Sequence, residues 1–117
     1  MNNLENLNIL ITGASGGIGR SLSKTFASTN ANLFLVGSTE EKISKLRDEV
    51  LHRDNINYFA VDLSQRENVS KFCDSIIEEY GGISVIINNA GITEDSIFMR
   101  MSAVSYTHLT LPTILRV

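Results

Sequence analysis

The chain has 117 residues, room for one small domain. Its 43% hydrophobic and 20% charged residues are the balance of a soluble globular protein rather than a disordered or fibrous one. A formal net charge of −3 speaks against nucleic acid or an anionic membrane surface as partner, since both reward clustered Lys and Arg.

The opening residues Met1–Glu5 carry no basic segment followed by an apolar stretch, so no secretory signal is visible. No apolar run is long enough to span a bilayer, and a cytoplasmic protein is expected. The short, β-branched run from Asn8 to Thr12 reads as a buried strand stopped by a glycine cluster. Ile18, Leu22, Phe26 and Thr29 then recur at helical spacing, with Arg20 and Lys24 on the other face. A second strand runs from Asn32 to Val36 and ends at Gly37. Ile43, Leu46 and Val50 mark a second helix, Tyr58–Val61 a third strand, and Val69, Phe72, Ile76 and Tyr80 a third helix closed by Gly81-Gly82. Val85–Ile87 is the fourth strand, followed by Asn88-Asn89-Ala90-Gly91. The single cysteine, Cys73, excludes an internal disulfide and a cysteine-rich zinc site. Beside Phe72 it reads as a small buried hydrophobe rather than a redox thiol. No metal site is expected, and His52 and His108 carry no signal.

The order β-α-β-α-β-α-β, with strands apolar on both faces, implies an α/β fold. It is a parallel sheet covered on both sides and doubly wound in the Rossmann manner, of which the four strands make an N-terminal half. Between the first strand and first helix lies Thr12-Gly13-Ala14-Ser15-Gly16-Gly17-Ile18-Gly19. A chain that must turn sharply and bring its backbone against a pyrophosphate favours glycine. The first N–H groups of the following helix then face the phosphates with the positive end of the helix dipole behind them. Ser15 can add a hydroxyl donor, and Gly19 lets the helix lie close to the sheet. The strand–turn–helix context raises this cluster above a plain tight turn, so residues Gly13 to Gly19 are candidate phosphate-binding residues.

The spacing Thr-Gly-x-x-x-Gly-x-Gly resembles the fingerprint of the short-chain dehydrogenase/reductase family. Two further family motifs follow in order: an Asp at the end of the third strand, here Asp62 in Val61-Asp62-Leu63, and Asn88-Asn89-Ala90-Gly91 after the fourth. The resemblance covers residues 4 to about 101. Within the family, Asn89-Ala90-Gly91-Ile92-Thr93 and the closing Met99-Arg100-Met101 look like the 3-oxoacyl-[acyl-carrier-protein] reductases of bacterial fatty acid synthesis. The resemblance implies that Asp62 accepts from the adenine amino group with Leu63 as the next backbone contact. It also implies that Asn89 closes the cofactor site while Ala90 and Gly91 leave room for the ribose. Asn88 is expected to join neighbouring strands.

The end of the second strand bears on the choice of cofactor. An Asp or Glu there would hold a ribose 2′-hydroxyl and repel a 2′-phosphate. The chain has Gly37-Ser38-Thr39 instead, and the hydroxyls of Ser38 and Thr39 can donate to a phosphate. NADP is therefore favoured over NAD, as the resemblance also implies. Two departures stand against it: many NADP-using relatives carry arginine where this chain has Gly16, and Glu40-Glu41 add negative charge. Lys42 either compensates or belongs to a solvated helix face.

The resemblance implies NADPH-dependent reduction of a 3-oxoacyl group on acyl carrier protein, by a parent protein that is a homotetramer. Such reductases use a Tyr as general acid with a Lys four positions later, beside a Ser and an Asn. Here Tyr58 is followed at that spacing by Asp62, Tyr80 by Ser84 and Tyr106 by Thr110, so no catalytic residue is assigned. After Met101, Ser102–Val117 has no charge before Arg116. The stretch Ser105–Thr113 resembles the translation of a transposon-type sequencing adapter. Residues 1–101 thus read as a partial dinucleotide-binding domain, with 102–117 a tail foreign to it or else a natural divergent end. Other readings stay open: another reductase of the family acting on a small ketone or alcohol, a nucleotide-binding fragment without chemistry, or an inert half-sheet whose fourth strand leaves a bare edge.

Overall fold

A computed structural model describes residues 4–50, 52–91, 103–104, 109–110 and 113–116. The elements run β1 (Asn8–Thr12), α1 (Gly17–Ala27), β2 (Asn32–Gly37), α2 (Glu40–Glu49), β3 (Ile56–Ala60), α3 (Arg66–Tyr80), β4 (Val85–Asn88), β5 (Ala103–Val104), β6 (Leu109–Thr110) and β7 (Thr113–Arg116). The main sheet is parallel in the order β3-β2-β1-β4-β7. The short pair β5-β6 is antiparallel.

Strand alternation sorts the apolar residues into two cores, one on each face of the sheet. Ile9 and Ile11 of β1, Leu33 and Leu35 of β2 and Ile87 of β4 pack with Ala27 of α1 and Ile43 and Leu46 of α2. Leu10, Phe34, Val36 and Ile86 point the other way and pack with Val69, Phe72, Cys73 and Ile76 of α3. Each large side chain so buried is worth roughly 1.5–3 kcal/mol of transfer free energy. Helices on both faces make the fold a Rossmann-type α/β sandwich, and Cys73 is fully buried, as expected.

Three features depart from the sequence expectation. β3 begins at Ile56 and stops at Ala60, because its partners on β2 are Leu33 to Gly37. The buried face of α1 is Gly19, Ser23 and Ala27, not the row Ile18, Leu22, Phe26 and Thr29. Ile18 is 60% exposed, while Leu22 and Phe26 flank the contact half-buried. The helix lies so close to the sheet that only small residues fit beneath it. Ser23 there satisfies its hydroxyl by donating to the carbonyls of Gly19 at 2.7 Å and Ala14 at 3.2 Å. Finally, the outer edge of β4 is not bare. β7 pairs with it in the register Val85 to Thr113 through Asn88 to Arg116, and Ile114 joins the core on the α3 face.

Candidate functional site

The order of strands reverses at β1, whose neighbours are β2 on one side and β4 on the other. Crossovers leave β1 toward one face and reach β4 from the other, so the carboxyl ends of these strands open into a crevice where ligands of such folds bind. A cleft of about 830 Å3 lies there, within the size range of small-molecule sites.

The loop after β1 forms one wall. Gly13 has φ +62°, and a Cβ on it would stand 3.1 Å from the Ala90 nitrogen and 3.1 Å from Asn89 Nδ2. Gly19 is tighter, for a Cβ there would lie 1.9 Å from the Gly13 carbonyl oxygen. The loop is tied to β2 by the Ala14 N–H, which donates to Val36 O at 3.0 Å. Gly16 is the N-cap of α1 and brings no side-chain cap, so the first-turn N–H groups lack a helical partner, as at any uncapped start. Nothing lies within 4 Å of a Cβ at Gly16, so this position is open space in front of the helix.

The loop after β4 forms the opposite wall and is locked to the first. Asn89 Nδ2 donates to Gly13 O at 3.0 Å. The Ala90 N–H donates to Thr12 Oγ1 at 3.2 Å, and that hydroxyl donates to Asn88 Oδ1 at 3.0 Å in a buried position. Asn88 therefore joins β1 and β4, as expected. The side-chain amide of Asn89 serves the glycine loop.

The loop after β3 supplies the third side. Asp62 Oδ1 accepts from the Ser64 N–H at 3.0 Å and from the Ser64 hydroxyl at 2.6 Å. These bonds, the hydroxyl's first, hold the carboxyl below its ordinary pKa. Asp62 is thus a carboxylate at neutral pH, able only to accept hydrogen bonds.

Of the fourteen sequence candidates, Gly13, Ser15, Gly16, Ser38, Asp62, Leu63, Asn89, Ala90 and Gly91 line the cleft. Ala14, Gly17, Ile18, Gly19 and Thr39 do not: Ala14 and Gly19 are buried beneath the turn, and Gly17 and Ile18 are exposed at the start of α1. Thr39 is the N-cap of α2, its hydroxyl oxygen accepting from the Lys42 N–H at 3.2 Å. Sequence reasoning missed Val36, Val61 and Val69, which make apolar surface in the cleft, and also Ser64 and Arg66. Lys42, left open above, lines the cleft as well. The signal for Arg66 was its place four residues after Asp62, in the first turn of α3. An apolar slot edged by hydroxyls, a carboxylate, free helix N–H groups and two cations suits a nucleotide with its base in the slot and its phosphates at the glycine loop. Among the described residues, no group of three His, Cys, Asp or Glu side chains suits a metal ion. No helix there is long and apolar enough to cross a membrane.

Comparison with known proteins agrees with this geometry. The family model for short chain dehydrogenase matches residues 7–110. A 3-oxoacyl-[acyl-carrier-protein] reductase of Chlamydia muridarum is 38% identical over 101 residues, which cover 85% of this chain and 41% of that protein. Nodulation protein G of a Rhizobium species is 37% identical over 93 residues, covering 80% and 37%. Among solved structures, a metagenomic short-chain oxidoreductase in complex with NADP aligns with a TM-score of 0.69 at 27% identity, covering 78% of this chain and 41% of that one. A citronellol catabolism dehydrogenase of Pseudomonas aeruginosa aligns at 0.66 and 26% identity, covering 86% and 47%. The chain thus spans less than half the length of these relatives. With the glycine loop, the Asp62 turn and the Asn88–Gly91 loop converging on one cleft of a parallel sheet, the chain belongs to the short chain dehydrogenase family.

Proposed function

We propose that this chain is the nucleotide-holding part of an NADPH-dependent reductase of 3-oxoacyl groups carried on acyl carrier protein. The observation that carries the cofactor reading is the cleft itself, where Gly13, Asp62 and Asn89 are brought together with Ser38. The end of β2 offers a hydroxyl and no carboxylate, the arrangement that accepts a 2′-phosphate. The substrate reading draws on relatives named 3-oxoacyl-[acyl-carrier-protein] reductase from Chlamydia muridarum, Aquifex aeolicus and Vibrio cholerae. NADPH, when bound, supplies the hydride. The chain's own residues hold the phosphates at the glycine loop, accept from the base at Asp62 and exclude water from it with Val36, Val61 and Val69. Residues 102–117 are given no part in the nucleotide site in this reading. The homotetramer and cytoplasmic placement of the parent are part of the same reading.

A second reading, reduction of a different small carbonyl, draws on a relative named sulfoacetaldehyde reductase from Chromohalobacter salexigens, 31% identical over 84 residues. Titration of the 117-residue chain with NADPH and NADH tests the cofactor, and saturable, tighter binding of NADPH is expected. Absorbance of NADPH with an acetoacetyl thioester tests the chemistry. The chain alone is expected to show no turnover, because no Tyr is followed by Lys four positions on. Turnover that vanishes in Tyr106→Phe would overturn this. A family parent carrying these cleft residues should act on the thioester; action on sulfoacetaldehyde alone would favour the second reading.

A further inference from the structure

We propose that Lys42 is the residue that selects the 2′-phosphate, in place of an arginine at the Gly16 position. The inference rests on the NADP reading above and names its determinant. Gly16 and Ser38 bring no positive charge to this end of the cleft. Lys42 does: it lines the cleft, and its Nζ lies 3.4 Å from Ser38 Oγ. Its backbone is fixed by the Thr39 cap at 3.2 Å, so the first turn of α2 sets where the ammonium reaches.

Charge partners separate Lys42 from Arg20, Lys24, Lys45 and Lys71. Arg20 and Lys24 are both committed to Glu49. Lys45 is 3.5 Å from Glu41 and Lys71 3.4 Å from Glu67. The Glu41 carboxylate, which threatened to repel a phosphate, is therefore turned toward Lys45. Among the described residues Lys42 has no carboxylate partner, and its neighbour in the cleft is a hydroxyl. An ammonium and a hydroxyl within 3.4 Å of each other can share one phosphate, the hydroxyl donating to one oxygen and the ammonium to another. Arg66 also lines the cleft, but from α3, beside Asp62 and Ser64, on the side assigned to the base.

Calorimetric titration of the full chain with adenosine 2′,5′-bisphosphate and with adenosine 5′-monophosphate tests this. The unchanged chain is expected to prefer the bisphosphate. Lys42→Gln should reduce that preference about tenfold, the order of one near-surface charge pair, with affinity for the monophosphate unchanged. Lys42→Arg should retain it, and Lys45→Gln, outside the cleft, should leave both affinities as they were. A preference that survives Lys42→Gln overturns the assignment to Lys42 alone. A preference lost instead in Arg66→Gln transfers the role to Arg66 and likewise overturns it. Equal binding of the two nucleotides by the unchanged chain overturns the NADP reading with it, and binding of neither overturns the nucleotide site.

Discussion

The side-chain amide of Asn89 donates to the carbonyl oxygen of Gly13 at 3.0 Å, so the loop after β4 holds the loop after β1 in shape. Asn89→Ala should keep the fold, since the residue is only half-buried, yet weaken nucleotide binding several-fold by freeing the Gly13 peptide. Gly19→Val should do more. Its Cβ would stand 1.9 Å from that same oxygen, so α1 and the loop must part and binding should be lost. Gly16→Ala, with nothing within 4 Å of the new carbon, should bind as before. Calorimetry on the three variants checks the order. Equal affinity in Gly19→Val and the unchanged chain would remove the phosphate-binding role from the turn.

Buried polar pairs predict a second effect. Thr12 Oγ1 donates to Asn88 Oδ1 where both residues are almost wholly buried. Thr12→Val removes the donor to that buried acceptor, at a cost of roughly 1–3 kcal/mol, and also frees the Ala90 N–H, which stands at an exposed position where water can serve it. Urea unfolding should show the lower midpoint with an unchanged slope. A midpoint equal to that of the unchanged chain would mean the two strands are not joined by this pair.

Glu49 and Asp62 make stability fall in acid. Lys24 and then Arg20 hold the Glu49 carboxyl below its ordinary value, and the Ser64 hydroxyl and N–H do the same for Asp62. A carboxyl whose pKa is lower folded than unfolded, where it is about 3.9 for Asp and 4.3 for Glu, adds stability above the unfolded value. It loses that contribution as pH falls through the folded one. Both groups are exposed, so salt screens the effect. Carboxyl titration by NMR should show Glu49 rising toward its ordinary value in Lys24→Gln and Asp62 rising in Ser64→Ala. Unmoved titration curves would sever the named contacts.

Pairing of β7 with β4 gives a further expectation. Removing residues 105–117 uncovers four residues of β4 backbone and part of the core under Ile114. A bare parallel edge recruits other chains, so the shortened chain should associate in sedimentation velocity where the full chain does not. A monomeric shortened chain would show that β7 is not what protects the edge.

Much of this was legible in the residues. Ile43, Leu46, Val69, Phe72 and Ile76 lie on the buried faces their spacing indicated, because the faces of α2 and α3 that pack into the two cores are built of bulky apolar residues. α1 misled for the opposite reason: close approach selects Gly19, Ser23 and Ala27, and small residues leave no hydrophobic stripe to read. A hydroxyl before a helix can serve ligand or cap, and at Thr39 the structure shows the cap bond from the Lys42 N–H and no place in the cleft lining. Val36, Val61, Arg66 and Val69 escaped because the cleft gathers them from β2, the loop after β3 and α3, with no local motif. β7 escaped because its four residues carry too little pattern of their own, and Ser102–Val117 continues no family motif.

The bonds that join the two sides of the cleft span 76 and 78 residues along the chain: Thr12 to Asn88, Asn89 to Gly13, and Ala90 to Thr12. Closing loops of that length carries an entropic cost that must be met before the contacts give anything back. The pocket is therefore a late product of folding. It cannot exist on a nascent chain until β4 has left the ribosome and settled beside β1, and the helices can form well before then. Nucleotide capture by this chain would accordingly time the completion of its sheet.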